Sequence, residues 1–167
     1  KAKGKDIGKS LIDSSMISEA KKILANARGK TNIIFPQDFI CAKSMKHKKT
    51  SVSNSNEMAS DLMGLDIGPK TIEEFSKTIF DSGTILWNGP MGVFEIEGFH
   101  HGTQKIAKTI GEVTKNGSTS IVGGGDSAAA IKKFEMTNNF SHISTGGGAS
   151  LSLLSGNIMP AIYALEL

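Results

Sequence analysis

Near the start of the chain, Met16, Ala20, Ile23, Leu24 and Ala27 recur at helical spacing, and Gly29 stops the pattern. Asn32-Ile33-Ile34-Phe35-Pro36 follows, a short apolar run closed by proline that predicts a strand. Residues 37–60 are polar and mixed, with room for one strand and a surface loop around the lysines. Ile72, Phe75, Ile79 and Phe80 mark a second helix, with Thr71 as its cap and Glu73 and Glu74 in its first turn. Thr84-Ile85-Leu86-Trp87 reads as a strand, and Ile106, Ile110 and Val113 carry a third helix over 101–115. Ser120-Ile121-Val122 is a strand running into Gly123-Gly124-Gly125. A helix (127–135), a strand (141–144), a second triple glycine and a final helical stretch complete the chain.

Strands alternate with helices and lack polar alternation of their own, the pattern of a parallel sheet covered by helices. The expected fold is therefore α/β: a three-layer, Rossmann-like open parallel sheet with helices on both faces. There is no internal repeat and no long linker, so residues 1–167 are expected to form one domain. Lys1-Ala2-Lys3-Gly4-Lys5 has no initiator methionine and no strand before the first helix, so the chain is expected to begin inside that domain.

Composition narrows the function classes. With 38% hydrophobic and 21% charged residues the chain reads as an ordinary globular protein. No apolar run approaches the ~20 residues of a membrane span, so no membrane partner is expected. Cys41 is the only cysteine, which excludes an intramolecular disulfide and fits a reducing, cytoplasmic setting with an inert thiol. The net charge is +3. Its densest basic run, Lys46-His47-Lys48-Lys49, has no aromatic neighbours and reads as a solvated loop, not a nucleic-acid surface. Glycine, at 19 of 167 residues, is clustered, and clustered glycine marks close backbone approach or turns needing positive φ.

Four loops carry the candidate chemistry, since ligands of open parallel sheets bind where strand ends lead into helices. Ile121-Val122-Gly123-Gly124-Gly125-Asp126-Ser127 puts bare amides at a positive helix end, which suits phosphate. Asp126 offers a hard oxygen for Mg²⁺, and Ser127 a hydroxyl for phosphate or for capping. A tight turn with an Asp cap explains the same residues. Ser144-Thr145-Gly146-Gly147-Gly148-Ala149-Ser150 lies likewise between a strand and a helix, and a second such loop weakens the turn-only explanation. In Trp87-Asn88-Gly89-Pro90-Met91-Gly92-Val93-Phe94-Glu95 the glycines and proline bend the chain at a strand end. There Asn88 and Glu95 could reach ribose hydroxyls or bound water, while Trp87 and Phe94 read as core. In Met63-Gly64-Leu65-Asp66-Ile67-Gly68-Pro69, Gly64 would let backbone approach a flat ring and Leu65 would offer an apolar wall, although a plain strand and turn fits as well.

The strings MGLDIGP (63–69), WNGPMGVFE (87–95), GGGDSAAA (123–130) and SHISTGGGASL (141–151), in this order, resemble the C-terminal domain of the phosphoglycerate kinase family. Gly4-Lys5-Asp6-Ile7-Gly8-Lys9-Ser10-Leu11 also resembles a segment of that domain, so the likeness covers essentially the whole chain. Leu62, where the family usually has tryptophan, and Ala161, where glycine often follows the proline, depart from its pattern without touching a candidate site.

The resemblance implies a nucleotide-binding domain, incomplete on its N-terminal side, of an enzyme that moves a phosphoryl group reversibly between 1,3-bisphosphoglycerate and MgADP. By position it implies adenine contact at Gly64 and Leu65, and ribose or phosphate contact at Asn88 and Glu95. Gly123, Gly124, Gly125, Asp126 and Ser127 would wrap the nucleotide phosphates of ADP or ATP, with Asp126 at Mg²⁺. The amides of Gly146, Gly147 and Gly148 would stabilise the phosphoryl group in flight. It implies further that the phosphate-binding lysine, the catalytic arginine and the 3-phosphoglycerate site lie outside this chain, that the chain alone is inactive, and that the full-length protein is monomeric.

Overall fold

The computed structural model describes residues 1–144 and 146–165. Thr145, in the second triple-glycine loop, lies outside the described residues, as do Glu166, Leu167 and the side chain of Ala161. The chain forms two compact units, Lys1–Lys77 with Met91–Thr103, and Thr78–Pro90 with Gln104–Leu167.

In the first unit a short 3-10 turn at Ser14–Met16, held by Asp13 accepting from the Ser15 N–H, leads into α1 (Ile17–Ala27). Residues 32–36 belong to no ladder among the described residues, contrary to the strand expected there. The apolar content is right, but a strand needs a neighbour to bond. Phe35 instead takes the Lys3 ammonium over its ring at 4.5 Å. Residues 37–60 hold two strands rather than one: β1 (Asp38–Ala42) and β2 (Ser51–Asn54), with the exposed lysine loop between them. Both β2 and β3 (Met63–Ile67) pair antiparallel with β1, in the order β2-β1-β3. Ala42, Leu65 and Phe99 form the core beneath this sheet, with Ile40, Met63, Val93 and Ile96 packed against them. Cys41 is fully buried, which pushes its thiol pKa up and suits the inert role expected of it.

α2 (Pro69–Phe80) begins three residues earlier than expected, because Pro69 takes the first helical position and the Gly68 carbonyl accepts from the Ile72 N–H. Thr71 is therefore not the cap. The capping oxygens come from the buried Asp38 of β1, which accepts from the N–H groups of Lys70 (3.1 Å) and Thr71 (2.9 Å) and from the Thr71 hydroxyl (2.6 Å). A carboxylate at the positive end of a helix is favoured by charge as well as by hydrogen bonding.

The second unit is the expected parallel α/β arrangement, with β4 (Thr84–Asn88), β5 (Thr119–Gly123) and β6 (His142–Ile143) side by side in sequence order. α3 (His101–Lys115) starts in the first unit and enters the second at Gln104, where Ile106, Ala107, Ile110 and Val113 are buried. α4 (Gly125–Lys133) joins β5 to β6. The final stretch is two helices, α5 (Gly147–Leu154) and α6 (Pro160–Leu165). Trp87 is a core residue, as expected, packed on Phe140 with ring centroids 6.2 Å apart. No helix among the described residues is long and apolar enough to cross a membrane.

Candidate nucleotide site

In the second unit the carboxyl ends of the parallel strands bring together the two glycine loops and the start of the third loop, Asn88 to Pro90. Asn88 pairs with Gly123 at the end of the β4–β5 ladder. Its Oδ1 lies 3.0 Å from where a Cβ on Gly123 would sit and 3.1 Å from one on Gly124, so a side chain at either would meet it. Gly124 caps α4 at φ 90°, a conformation L-residues avoid, and this starts the helix at Gly125, two residues before the expected boundary. Asp126, exposed, then falls in the first turn of α4, where the leading N–H groups have no intrahelical acceptor.

Ser127 behaves differently from its two sequence readings. It is fully buried and its Oγ accepts from the Gly89 N–H at 2.7 Å, so the hydroxyl ties the β4 loop to the start of α4. Both glycine loops meet directly. A Cβ on Gly147 would lie 2.6 Å from both the Cα and the N of Gly124, which only glycine permits. Ser144 Oγ accepts from the Gly146 N–H at 3.3 Å and lies 3.1 Å from Ser150 Oγ, closing the second loop onto the first turn of α5. Two helix starts with adjoining glycine backbone make a surface suited to oxygens of high negative charge.

In the first unit, Gly64 and Leu65 lie on β3 and part company. Gly64 lines a cavity of about 540 Å³ whose other walls include Ile7, Leu24, Phe35, Phe39 and Met58. Leu65, at 4% exposure, points its side chain into the core with Ala42 and Phe99. The apolar wall beside Gly64 is thus formed by Phe39 and Met58, whose atoms lie 3.4 and 3.3 Å from a Cβ placed on Gly64, and not by the Leu65 side chain. The Gly64 N–H is already taken by Ser10 Oγ at 3.0 Å. Glu95 is exposed on the 91–100 segment.

Sequence reasoning passed over Asp66. It is 2% exposed at the end of β3, with Oδ2 accepting from the Gly102 N–H (2.7 Å) and Oδ1 from the Ile67 N–H (2.9 Å). Burial pushes its pKa up to about 6, against the lowering effect of those two bonds and of His101 nearby. The available signal was an aspartate inside the apolar run Leu65-Asp66-Ile67, where a charge must find partners.

The family described as phosphoglycerate kinase matches residues 1–157. The phosphoglycerate kinase of Thermosipho africanus is 46% identical over 99% of this chain and 42% of its own length. That of Onion yellows phytoplasma is 47% identical over 99% of this chain and, again, 42% of its own. The solved phosphoglycerate kinase from Coxiella burnetii superposes with a TM-score of 0.91 at 40% identity, covering 97% of this chain and 42% of that one. The enzyme from Pyrococcus horikoshii gives 0.78 at 32% identity, covering 99% and 41%. This chain thus spans about two fifths of the length of the relatives it matches, and it belongs to the phosphoglycerate kinase family.

Proposed function

We propose that the chain supplies the nucleotide-binding half of a reversible glycolytic phosphoryl transfer from 1,3-bisphosphoglycerate to MgADP, giving 3-phosphoglycerate and MgATP. The observation that carries this reading is the direct contact of the two glycine loops at Gly124 and Gly147. In the transfer, the bond from phosphorus to the acyl oxygen breaks and one to a terminal ADP oxygen forms, leaving a carboxylate. Little covalent help is needed, so positioning and neutralisation of charge do most of the catalysis.

In this reading the first turn of α4, from Gly123 to Ser127, holds the nucleotide phosphates, with Ser127 acting through the Gly89 loop. Asp126 would hold Mg²⁺ together with those phosphates, since carboxylate and phosphate oxygens suit a hard cation. The ion would neutralise the phosphate oxygens. The amides of Gly146, Gly147 and Gly148 would face the phosphoryl group in transit. Gly64, with backbone of Leu65, would contact the base, and Asn88 and Glu95 the ribose and phosphates. The acyl-phosphate substrate would bind through the part of the longer relatives that this chain does not span, and the reaction would take place in the cytoplasm.

A second reading, a nucleotide-binding module inactive by itself, is favoured by the coverage of only 42% of the relatives' length. Calorimetry with MgADP and a coupled assay with 1,3-bisphosphoglycerate test both. Binding without turnover is expected of the chain alone, with turnover restored by the complementary segment of a relative. Absence of MgADP binding would refute the nucleotide reading, and turnover by the chain alone would refute the division into halves.

A further inference from the structure

The segment from Met91 to Gly102 runs from the loop after β4 into the start of α3, and both of its ends close on one carboxylate of β3. Gly102 donates its N–H to Asp66 Oδ2 at 2.7 Å, and a Cβ on Gly102 would lie 2.3 Å from Asp66 Oδ1. At the other end, a Cβ on Gly92 would lie 2.4 Å from the same Oδ1. Side chains are therefore excluded at both ends by the carboxylate itself. Around this clamp, the Val93 N–H donates to the Leu65 carbonyl at 2.9 Å. The Met91 and Gly92 N–H groups donate to the buried Thr103 Oγ1 at 3.0 and 3.2 Å. Phe99, at 2% exposure, drops from mid-segment into the core beside Leu65. Two further loop residues, Glu95 and Glu97, are left on the exposed side.

A carboxylate buried in this way is costly unless its placement does something an apolar residue would not. We infer that Asp66 is a positioning residue for nucleotide recognition: its carboxylate bonds the Gly102 end of the 91–102 strap and packs against the Gly92 end, and so sets where the strap presents Glu95. The inference rests on the reading of Glu95 as a ribose contact. It assigns to Asp66 no contact with the ligand.

The test compares ADP with dideoxy-ADP, which lacks both ribose hydroxyls, by calorimetry on the chain at pH 7.5. The wild-type chain is expected to prefer ADP about tenfold, the worth of one hydrogen bond to a charged group. In Asp66→Ala both acceptors are lost, and the preference is expected to fall to about onefold, because the strap no longer holds Glu95 in place. In Asp66→Asn one acceptor remains, and a preference of about threefold is expected. Should the alanine variant not fold, the asparagine variant alone decides. A wild-type preference retained in every variant that folds overturns the inference, as does an equal loss of affinity for both ligands, which would make Asp66 a folding residue only. A wild-type chain that binds both ligands equally refutes the Glu95 reading, one that binds neither refutes the nucleotide reading, and the role of Asp66 falls with either.

Discussion

Replacing Gly147 by alanine probes the contact on which the phosphate surface depends. The added Cβ would sit 2.6 Å from both Gly124 Cα and Gly124 N, whereas ordinary contact begins near 3.4 Å, so the loops must part by roughly 0.8 Å. The obstacle is backbone, and it is poorly placed to yield. Gly124 is held at φ 90° as the cap of α4, with Asn88 Oδ1 3.1 Å from where its own Cβ would sit. Overpacking against groups that cannot rotate away costs about 1–3 kcal/mol, which in a chain of this size lowers Tm by roughly 2–12 °C. Gly148, one residue on, has nothing within 4 Å of its would-be Cβ and lies within α5. Gly148→Ala should leave Tm unchanged or raise it slightly, since alanine favours a helix by up to about 1 kcal/mol over glycine. Because Gly147→Ala displaces Gly124, it should also weaken MgADP, whereas Gly148→Ala should not. Thermal melts by circular dichroism and MgADP calorimetry on both variants test this. A Gly147→Ala protein that melts within 1 °C of wild type and binds MgADP normally would refute the contact and the shared phosphate surface with it.

Asp38→Ala should be the more damaging change in the first unit, costing about 2–4 kcal/mol in urea unfolding, because it strips acceptors from the buried start of α2. Asp126→Asn should weaken MgADP more than metal-free ADP in paired titrations, and an equal loss in both would reduce Asp126 to a helix-start residue. The raised pKa of Asp66, about 6 against an ordinary 3.8, makes its contribution to stability complete below about pH 4 and progressively lost as pH rises through 6. The unfolding free energy of Asp66→Asn relative to wild type should therefore shift in favour of the variant by about 2–3 kcal/mol between pH 4 and pH 7.5. A pH-independent difference would contradict the burial of that charge.

The apolar periodicities and the glycine strings determined by themselves much of what the second unit became. Strands at 84–88 and 119–123, the helix between them and the two glycine-rich helix starts all follow from local pattern, because each βα turn is encoded by residues adjacent in sequence. The family, too, was legible in four strings of residues. What only the tertiary structure decided is pairing and burial across long separations. The run at 32–36 had the composition of a strand, yet a strand exists only where another segment offers a ladder. Thr71 looked like a cap until Asp38, more than thirty residues earlier, supplied the oxygens. Leu65 went to the core and left Phe39 and Met58 as the wall beside Gly64, a choice made by which face of β3 meets Phe99. Gly147 needed to be glycine because of Gly124, and Gly92 and Gly102 because of Asp66. Such requirements are set by an atom that arrives from elsewhere in the chain, and local sequence records the small residue without recording what presses against it.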